Sequence, residues 1–521
     1  MKTSGKMKKK KKNSINSELH SHFIIMMQLL IIIKSKPHAW HHKRGEAGFD
    51  VRQHLSSSTR YEWGKSLMAG YEDPGNVPVG CTPIHINLVA RHGTRGPTKK
   101  RIKELEKLAK RLHEVAAQAG NTAPAWMRDW KSPWEGKKVG GDLLPIGEEE
   151  MYYLAQRYRN NYTEIFEDDY HPETYPIITT QVGRSSASAV AFGIGSFAGR
   201  GTLGPGKQRA FAVVSDSKGN DIHLRFHDTC MAYKQSKKYR MPAVEKLQAE
   251  VYELVAKAVK ERLGLAVTAE DVSSLWLLCK NEASLLDIVD RACGLFTPEE
   301  IQLLEWADDL QMHHLKGYGE TLNYRMGVPL LEDVVQSMDR AMATLKDSNS
   351  ETATEKARLR FAHAETVIPF ICLLGLFLDD VDVKSIQSEE PFQAPPRPPK
   401  HRVWRGAMVA PFGANTALVL HKCSLDSGTG EEFLVQALHN EKSVSMPGCN
   451  GTHFCPIEMF KKHVVAPHLK RSFESLCTVA VEHQPPERQS WFHRLFVPFY
   501  LFRWPGKPAH AQSICQSELE L

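Results

Sequence analysis

The sequence predicts an α/β fold: a sheet with helices on both faces, and a largely helical block inserted between two sheet-bearing segments. Three observations carry this. Short apolar runs lead directly into turns and helices at Ile84 to Ala90 (IHINLVA), Pro176 to Thr180 and Leu359 to Ala362. Such strand–turn–helix alternation is the pattern of a sheet covered on both sides. From about 240 to 350 the periodicity is almost wholly helical, as in VEKLQAEVYELVAKAVKERL and EEIQLLEWADDL. At 521 residues, 42% hydrophobic and 24% charged, the chain is long enough for a large core in one elaborate domain or two.

Each element follows in order. After the first run come RHGTRGPT and an amphipathic helix with Ile102, Leu105, Leu108 and Leu112 on one face. The second run enters QVGRSSASAVAFGIGSF, a turn and then a helix of small residues. The third enters HAETVIPFICLLGLF, a turn and then a buried helix. The division expected is a core in two parts, residues 80–200 and 351–505, around a helical insertion over 201–350. Residues 384–402, rich in Pro and charge, read as an exposed loop. The aromatic stretch Trp491 to Trp504 is too short to span a membrane and reads as a docked terminal segment.

The first 36 residues read as a leader. Lys2, Lys6 and Lys8 to Lys12 precede an apolar run, Phe23 to Ile33, of signal-peptide length rather than the roughly 20 residues a span needs. An uncleaved anchor is the alternative. This segment holds nine Lys against Glu18 alone, so removing its +8 turns the net charge of +7 into −1. Bulk charge therefore gives no reason to expect a nucleic-acid partner, and any attraction for polyanions must come from a local patch. Ten cysteines fit an oxidising compartment. Cys279 with Cys293, and Cys449 with Cys455, are spaced to close small loops. The N-x-T sequons at Asn161 and Asn450 fit glycosylation. The expected location is the secretory pathway: endoplasmic reticulum lumen, vacuole or outside the cell.

The chemistry concentrates at Arg91-His92-Gly93-Thr94-Arg95-Gly96-Pro97-Thr98, directly after a buried strand. In open α/β sheets ligands bind beyond the carboxyl ends of strands. A guanidinium grips phosphate oxygens through a bidentate fork. A neutral imidazole attacks phosphorus through one nitrogen when a hydrogen bond holds the other. Two Arg flanking one His at a strand end thus suit a phosphate monoester.

RHGTRGPT resembles the signature of the histidine acid phosphatases. The later FAHAET, with His363 and Glu365 where most of that family carry His-Asp, is similar to the multiple inositol polyphosphate phosphatases. FDVRQHLSSSTRY, GDLLPIGEEEMYYLAQRYR and TTQVGRSSASAVAFG extend the resemblance over most of the chain after residue 48. It implies a three-layer α/β sandwich of the histidine phosphatase type with an inserted helical domain. It implies His92 as the phosphohistidine, with Arg91, Arg95, Thr98, Arg184 and His363 holding phosphate. Glu365 would protonate the leaving inositol oxygen and later activate water, an effect of roughly 10²–10⁴-fold. The resemblance further implies a Cys81–Cys372 bridge, no cofactor and no metal.

Plainer readings stand beside these. Arg184 can be a surface charge at a helix start, His363 a core histidine, and Glu365 a helix-capping acid. Lys99, Lys100, Arg101 and Lys103 can form a solvated face, with Glu106 paired to Lys110. Lys99 and Lys100 are nevertheless expected at the ring phosphates of the substrate, and Asn323 to Arg325 at the pocket wall. No Cys is followed six positions later by Arg, which excludes the cysteine-phosphatase loop, and no P-loop or H-E-x-x-H occurs. The expected activity is removal of phosphate from inositol polyphosphates including phytate, with 2,3-bisphosphoglycerate as a further substrate. The partner expected is this small molecule, with neither nucleic acid nor a stable membrane span after leader removal. Alternatives are a broad histidine acid phosphatase and a non-catalytic polyanion-binding secretory protein.

Overall fold

The computed structural model describes residues 48–70, 77–346, 354–378, 398, 402–424 and 431–479. The leader, the Trp491 to Trp504 tail and nearly all of 384–402 lie outside the described residues. One compact unit begins at Val51 and holds the sheet and helices of the fold.

Its centre is a mixed sheet, with eight strands among the described residues: β1 (Cys81–Arg91), β2 (Ile177–Thr179), β3 (Val213–Val214), β4 (Ala357–Ala362), β5 (Asn415–Ser424), β6 (Glu431–His439), β7 (Lys442–Val444) and β8 (Phe454–Pro456). The order is β3-β2-β4-β1-β5-β6-β7, with β8 on β6. From β3 to β1 the strands are parallel, and from β1 onward the pairs are antiparallel. The three apolar runs of the sequence become β1, β2 and β4, which are neighbours.

Alternation along these strands builds two cores. Ile86, Leu88 and Ala90 of β1, Leu359 and Phe361 of β4, and Ala417 and Val419 of β5 face one side. There they meet Leu154 and Tyr158 of α2 (Pro145–Asn161) and Phe192 of α3 (Gly183–Ser196). Val89, Ala362, Leu418 and Leu420 face the other side. There they meet Leu331 and Val334 of α7 (Val328–Lys346) and Ile368 and Ile371 of α8 (Ala364–Leu373). The sheet is therefore the middle of three layers. α1 (Lys99–Ala119) buries the expected Ile102, Leu105, Leu108 and Leu112.

The helical block contains α4 (Met231–Leu263), α5 (Ala269–Leu285), α6 (Pro298–Lys316) and α7. Capping boxes start two of them: Thr268 with Asp271 for α5, and Thr297 with Glu300 for α6. Cys279–Cys293 clips the end of α5, and Cys449–Cys455 closes the small loop before β8.

The Cys81–Cys372 bridge is not formed. The antiparallel register sets Cys81 directly opposite Cys423, with Cα atoms 3.9 Å apart, and these two are bonded. Cys372 is a buried free thiol on α8, and burial pushes its pKa up. A further bridge, Cys230–Cys477, ties the start of α4 to the helix Phe473–Cys477. Asn161 and Asn450 are both exposed.

Candidate active site

Three adjacent strands deliver the site. At the end of β1, His92 donates its backbone N–H to Ala362 O of β4 (3.0 Å). Its own carbonyl accepts from Gly413 N (3.0 Å). After β2 the chain turns through Thr180 into α3, whose first turn carries Arg184. After β4, His363 is the N-cap of α8 and Glu365 lies in its first turn. Residues 92, 184, 363 and 365 thus meet at the carboxyl ends of β1, β2 and β4, where a ligand site in such a sheet is expected.

The loop after His92 is pinned by close packing. A Cβ on Gly93 would lie 2.2 Å from Gly147 O, so the close approach this glycine allows is to the start of α2. His92 Nδ1 lies 2.9 Å from Gly93 O and donates to it, which leaves the Nε2 lone pair available. Burial, together with Arg91, Arg184, His363 and Arg95, lowers the His92 pKa well below 6.5, so the ring is neutral.

Arg91 is buried. It donates from Nη1 to Ser57 O and Ala410 O, both at 2.6 Å, and its guanidinium sits 4.4 Å over the Phe412 ring. Burial and then Arg95 lower its pKa to about 9, which leaves it charged at neutral pH. Arg95 is half-buried and donates to Gly96 O at 2.9 Å. Arg184 Nη2 lies 3.3 Å from His363 Nδ1, and Thr180 Oγ1 lies 3.0 Å from His363 Nε2. The His92 and His363 ring centres are 5.6 Å apart.

Sequence reasoning missed several neighbours. Arg225 is buried, with Nη1 3.3 Å from His363 Nε2, and it pairs with Asp228. The His227 ring stands perpendicular to that of His363 at 6.4 Å, and burial lowers its pKa to about 4. Lys316, at the end of α6, bonds Glu365 Oε1 at 2.8 Å. The signal for Arg225 and His227 was LRFHDT, two basic residues in an irregular stretch with no strand before them.

The expected auxiliary residues divide. Thr98 ends the loop as the N-cap of α1, with its hydroxyl buried and without a hydrogen-bond partner among the described residues. Arg91 Nε, Arg225 Nε and His227 Nδ1 are in the same condition. Buried polar atoms without partners are costly, so this cluster suits an anion with several acceptor oxygens. Lys99 and Lys100 are exposed on the first turn of α1. Glu106 accepts from Gly136 N at 3.1 Å, in place of the expected pairing with Lys110. Asn323 is buried and spends its amide on the carbonyls of His314 and Gly317, so it is a structural residue. Arg402, within the stretch read as an exposed loop, is half-buried and paired with Glu305 and Asp309.

Comparison with known proteins matches this architecture. "Multiple inositol polyphosphate phosphatase 1" of Dictyostelium discoideum is 29% identical over 433 residues, 74% of this chain and 66% of that protein, so the chain spans just under two thirds of its length. The Homo sapiens protein of the same name is 26% identical over 428 residues, 77% of this chain and 83% of that one. Among solved structures, the Bifidobacterium longum multiple inositol polyphosphate phosphatase in complex with inositol hexasulfate superposes with a TM-score of 0.58 at 18% identity. That match covers 80% of this chain and 98% of that one. The family model "Histidine phosphatase superfamily (branch 2)" matches residues 84–440, a range that holds every site residue named above, and the chain belongs to that family.

Proposed function

We propose that this protein is a phosphomonoester hydrolase that removes phosphate from inositol polyphosphates, phytate included, through a phosphohistidine on His92. The observation that carries this is the neutral His92 imidazole, its Nδ1 spent on Gly93 O, set among Arg91, Arg95, Arg184, Arg225 and His363. The relatives named for inositol polyphosphates, and the neighbour with a bound hexasulfate of the same ring, support this substrate class.

In this reading the guanidiniums and His363 hold the equatorial oxygens as charge redistributes in the transition state. His92 Nε2 forms the N–P bond while the P–O bond to the ring breaks. The Glu365 carboxyl gives its proton to the departing alkoxide. Water then returns a proton to the Glu365 carboxylate and attacks phosphorus, the N–P bond breaks, and inorganic phosphate leaves. Thr98 contributes its hydroxyl to the phosphate, and Lys99 and Lys100 face the remaining ring phosphates. The core is divided between segments within 80–200 and 351–505, and the helical insertion between them adds β3 to the sheet and supplies Arg225, His227 and Lys316 to the site. The four disulfides among the described residues and the two exposed sequon asparagines support a secretory-pathway location.

The test is phosphate release from phytate, 2,3-bisphosphoglycerate and p-nitrophenyl phosphate by the wild type and His92→Ala. Wild-type turnover of phytate with none by the variant, and labelled phosphate trapped on His92, is the expected result. Turnover of the aryl ester alone points instead to a broad acid phosphatase. Label on another residue overturns the assignment.

A further inference from the structure

Glu365, read above as the acid, is held in a way that a proton donor at rest does not need. Its side chain is 22% exposed, and Lys316 reaches it from another element with an Nζ–Oε1 distance of 2.8 Å. Lys316 is itself buried at the last residue of α6. An ammonium–carboxylate contact therefore joins the end of α6 to the first turn of α8 beside the phosphate site.

We propose, on the strength of the reading above, that Lys316 is a positioning residue for the acid: its ammonium clamps Glu365 until a phosphate of a polyphosphorylated substrate competes for that ammonium. A carboxylate accepts a hydrogen bond from an ammonium but gives it no proton, so the clamped form is the ionised one. A second phosphate on the substrate is the stronger attractor, since it carries about −1.5 to −2 charge and three acceptor oxygens. When the ammonium turns to that phosphate, Glu365 loses its nearest opposite charge and takes up a proton, from water or from a monoprotonated phosphate of the substrate. Lys316 stays charged throughout. The acid is thus armed by substrates carrying more than one phosphate.

The groups facing Glu365 agree with this arrangement. Lys316 approaches from α6, and Lys237 and Tyr233 from α4. His227 approaches from the Phe226–Thr229 turn, His363 from the residue before α8, and Arg91 from the end of β1. Burial works to raise the Glu365 pKa, yet the Lys316 ammonium, the first of the opposing causes, brings it well below 4.5. Burial lowers the pKa values of His227 and His363 and leaves both rings neutral, so Lys316 is the charged partner in contact.

The experiment compares kcat/KM against pH for the wild type, Lys316→Met and Lys316→Arg. The substrates are phytate, glycerol phosphate (one phosphate, alkoxide leaving group) and p-nitrophenyl phosphate, whose leaving group departs without a proton. With Lys316→Met the alkaline limb should move up by about one to three pH units on both alkoxide substrates. It should stay in place on the aryl ester, and Lys316→Arg should keep the wild-type limb. The preference for phytate over glycerol phosphate should shrink in Lys316→Met only. An unmoved limb on the alkoxide substrates, or an equal movement on all three, overturns the proposal. Wild-type failure on phytate would sink the substrate reading alone, because glycerol phosphate still reports the Lys316–Glu365 pair. Thermal melts establish that each variant folds, and Lys316→Gln replaces the methionine variant if that one does not.

Discussion

Glu150 accepts two hydrogen bonds from Thr94, one from its backbone N–H at 2.7 Å and one from its hydroxyl at 2.8 Å. The same carboxylate accepts from Tyr61 N at 3.3 Å. One side chain of α2 thereby anchors the loop that carries His92 and Arg95, through the Thr94 that lies between them. Glu150→Ala leaves the Thr94 donors buried without an acceptor, at a cost on the order of 1–3 kcal/mol. It also loosens the nucleophile loop, and a misplacement of about 1 Å costs about 10²-fold in rate. A fall in both melting temperature and kcat is expected, with Glu150→Gln milder because one acceptor oxygen survives. An unchanged kcat in a destabilised Glu150→Ala protein would show that the loop is held by its other contacts.

Arg225 is one of the site residues that the sequence did not mark, and its removal tests whether the site extends into the helical block. Arg225→Ala should lower kcat/KM about equally on phytate and on p-nitrophenyl phosphate, because the lost contact is to the phosphate common to both. Hydrogen bonds to charged groups contribute about 1.5–3 kcal/mol, which corresponds to roughly 10–150-fold. Arg225→Lys should recover part of this, since it keeps the charge without the planar fork. A loss confined to phytate would move Arg225 to the ring phosphates.

The contrast between Arg91 and Arg225 explains how far the sequence could be read. Arg91, His92, Arg184 and His363 each follow an apolar run, and a run of the right length followed by a turn announces a strand end. Arg225 follows irregular backbone between β3 and a four-residue helix, where no periodicity exists to place it. Glu150 closes the triplet Glu148-Glu149-Glu150, and only the phase of α2 against the sheet leaves the third of them half-buried while the first two stay exposed. Lys316 reads as an ordinary basic residue in the last turn of an amphipathic helix, and its partner is 49 positions away. The Cys81 partner required the register of β1 on β5, which spacing does not encode. Local pattern thus gave the strand ends and the helices, while pairings between distant elements stayed hidden.

The pH dependence of stability has a definite sign at His439. This histidine is fully buried in β6, with Nε2 donating to Met408 O (3.0 Å) and Nδ1 accepting from Thr416 Oγ1 (3.0 Å). Burial lowers its pKa from 6.5 to about 4. As pH falls below 6.5 the unfolded chain binds a proton that the folded one refuses, so stability declines between about pH 6.5 and 4. One such group contributes a slope of up to about 1.4 kcal/mol per pH unit. His227 and His313, each also lowered to about 4 by burial, act in the same direction. Denaturant unfolding of His439→Gln across this window should show a shallower slope than the wild type. An unchanged slope would mean that His439 gains its proton without unfolding.

The acid itself gives the sharpest test of the chemistry. Glu365→Gln keeps the length of the side chain and can still face Lys316, so the pocket keeps its shape while the proton is removed. If Glu365 protonates the leaving oxygen, the variant should lose about 10²–10⁴-fold in kcat on phytate. The loss on p-nitrophenyl phosphate should be far smaller, since nitrophenolate leaves without protonation. Glu365 also lies in the first turn of α8, where an acid contributes about 0.3–1 kcal/mol through the helix dipole. A role confined to that stabilisation predicts a small drop in melting temperature and equal, slight losses on both substrates. Saturating rates on the two substrates, with thermal melts beside them, separate the cases: a ratio of losses near one assigns Glu365 to the helix, and a large ratio assigns it to the proton.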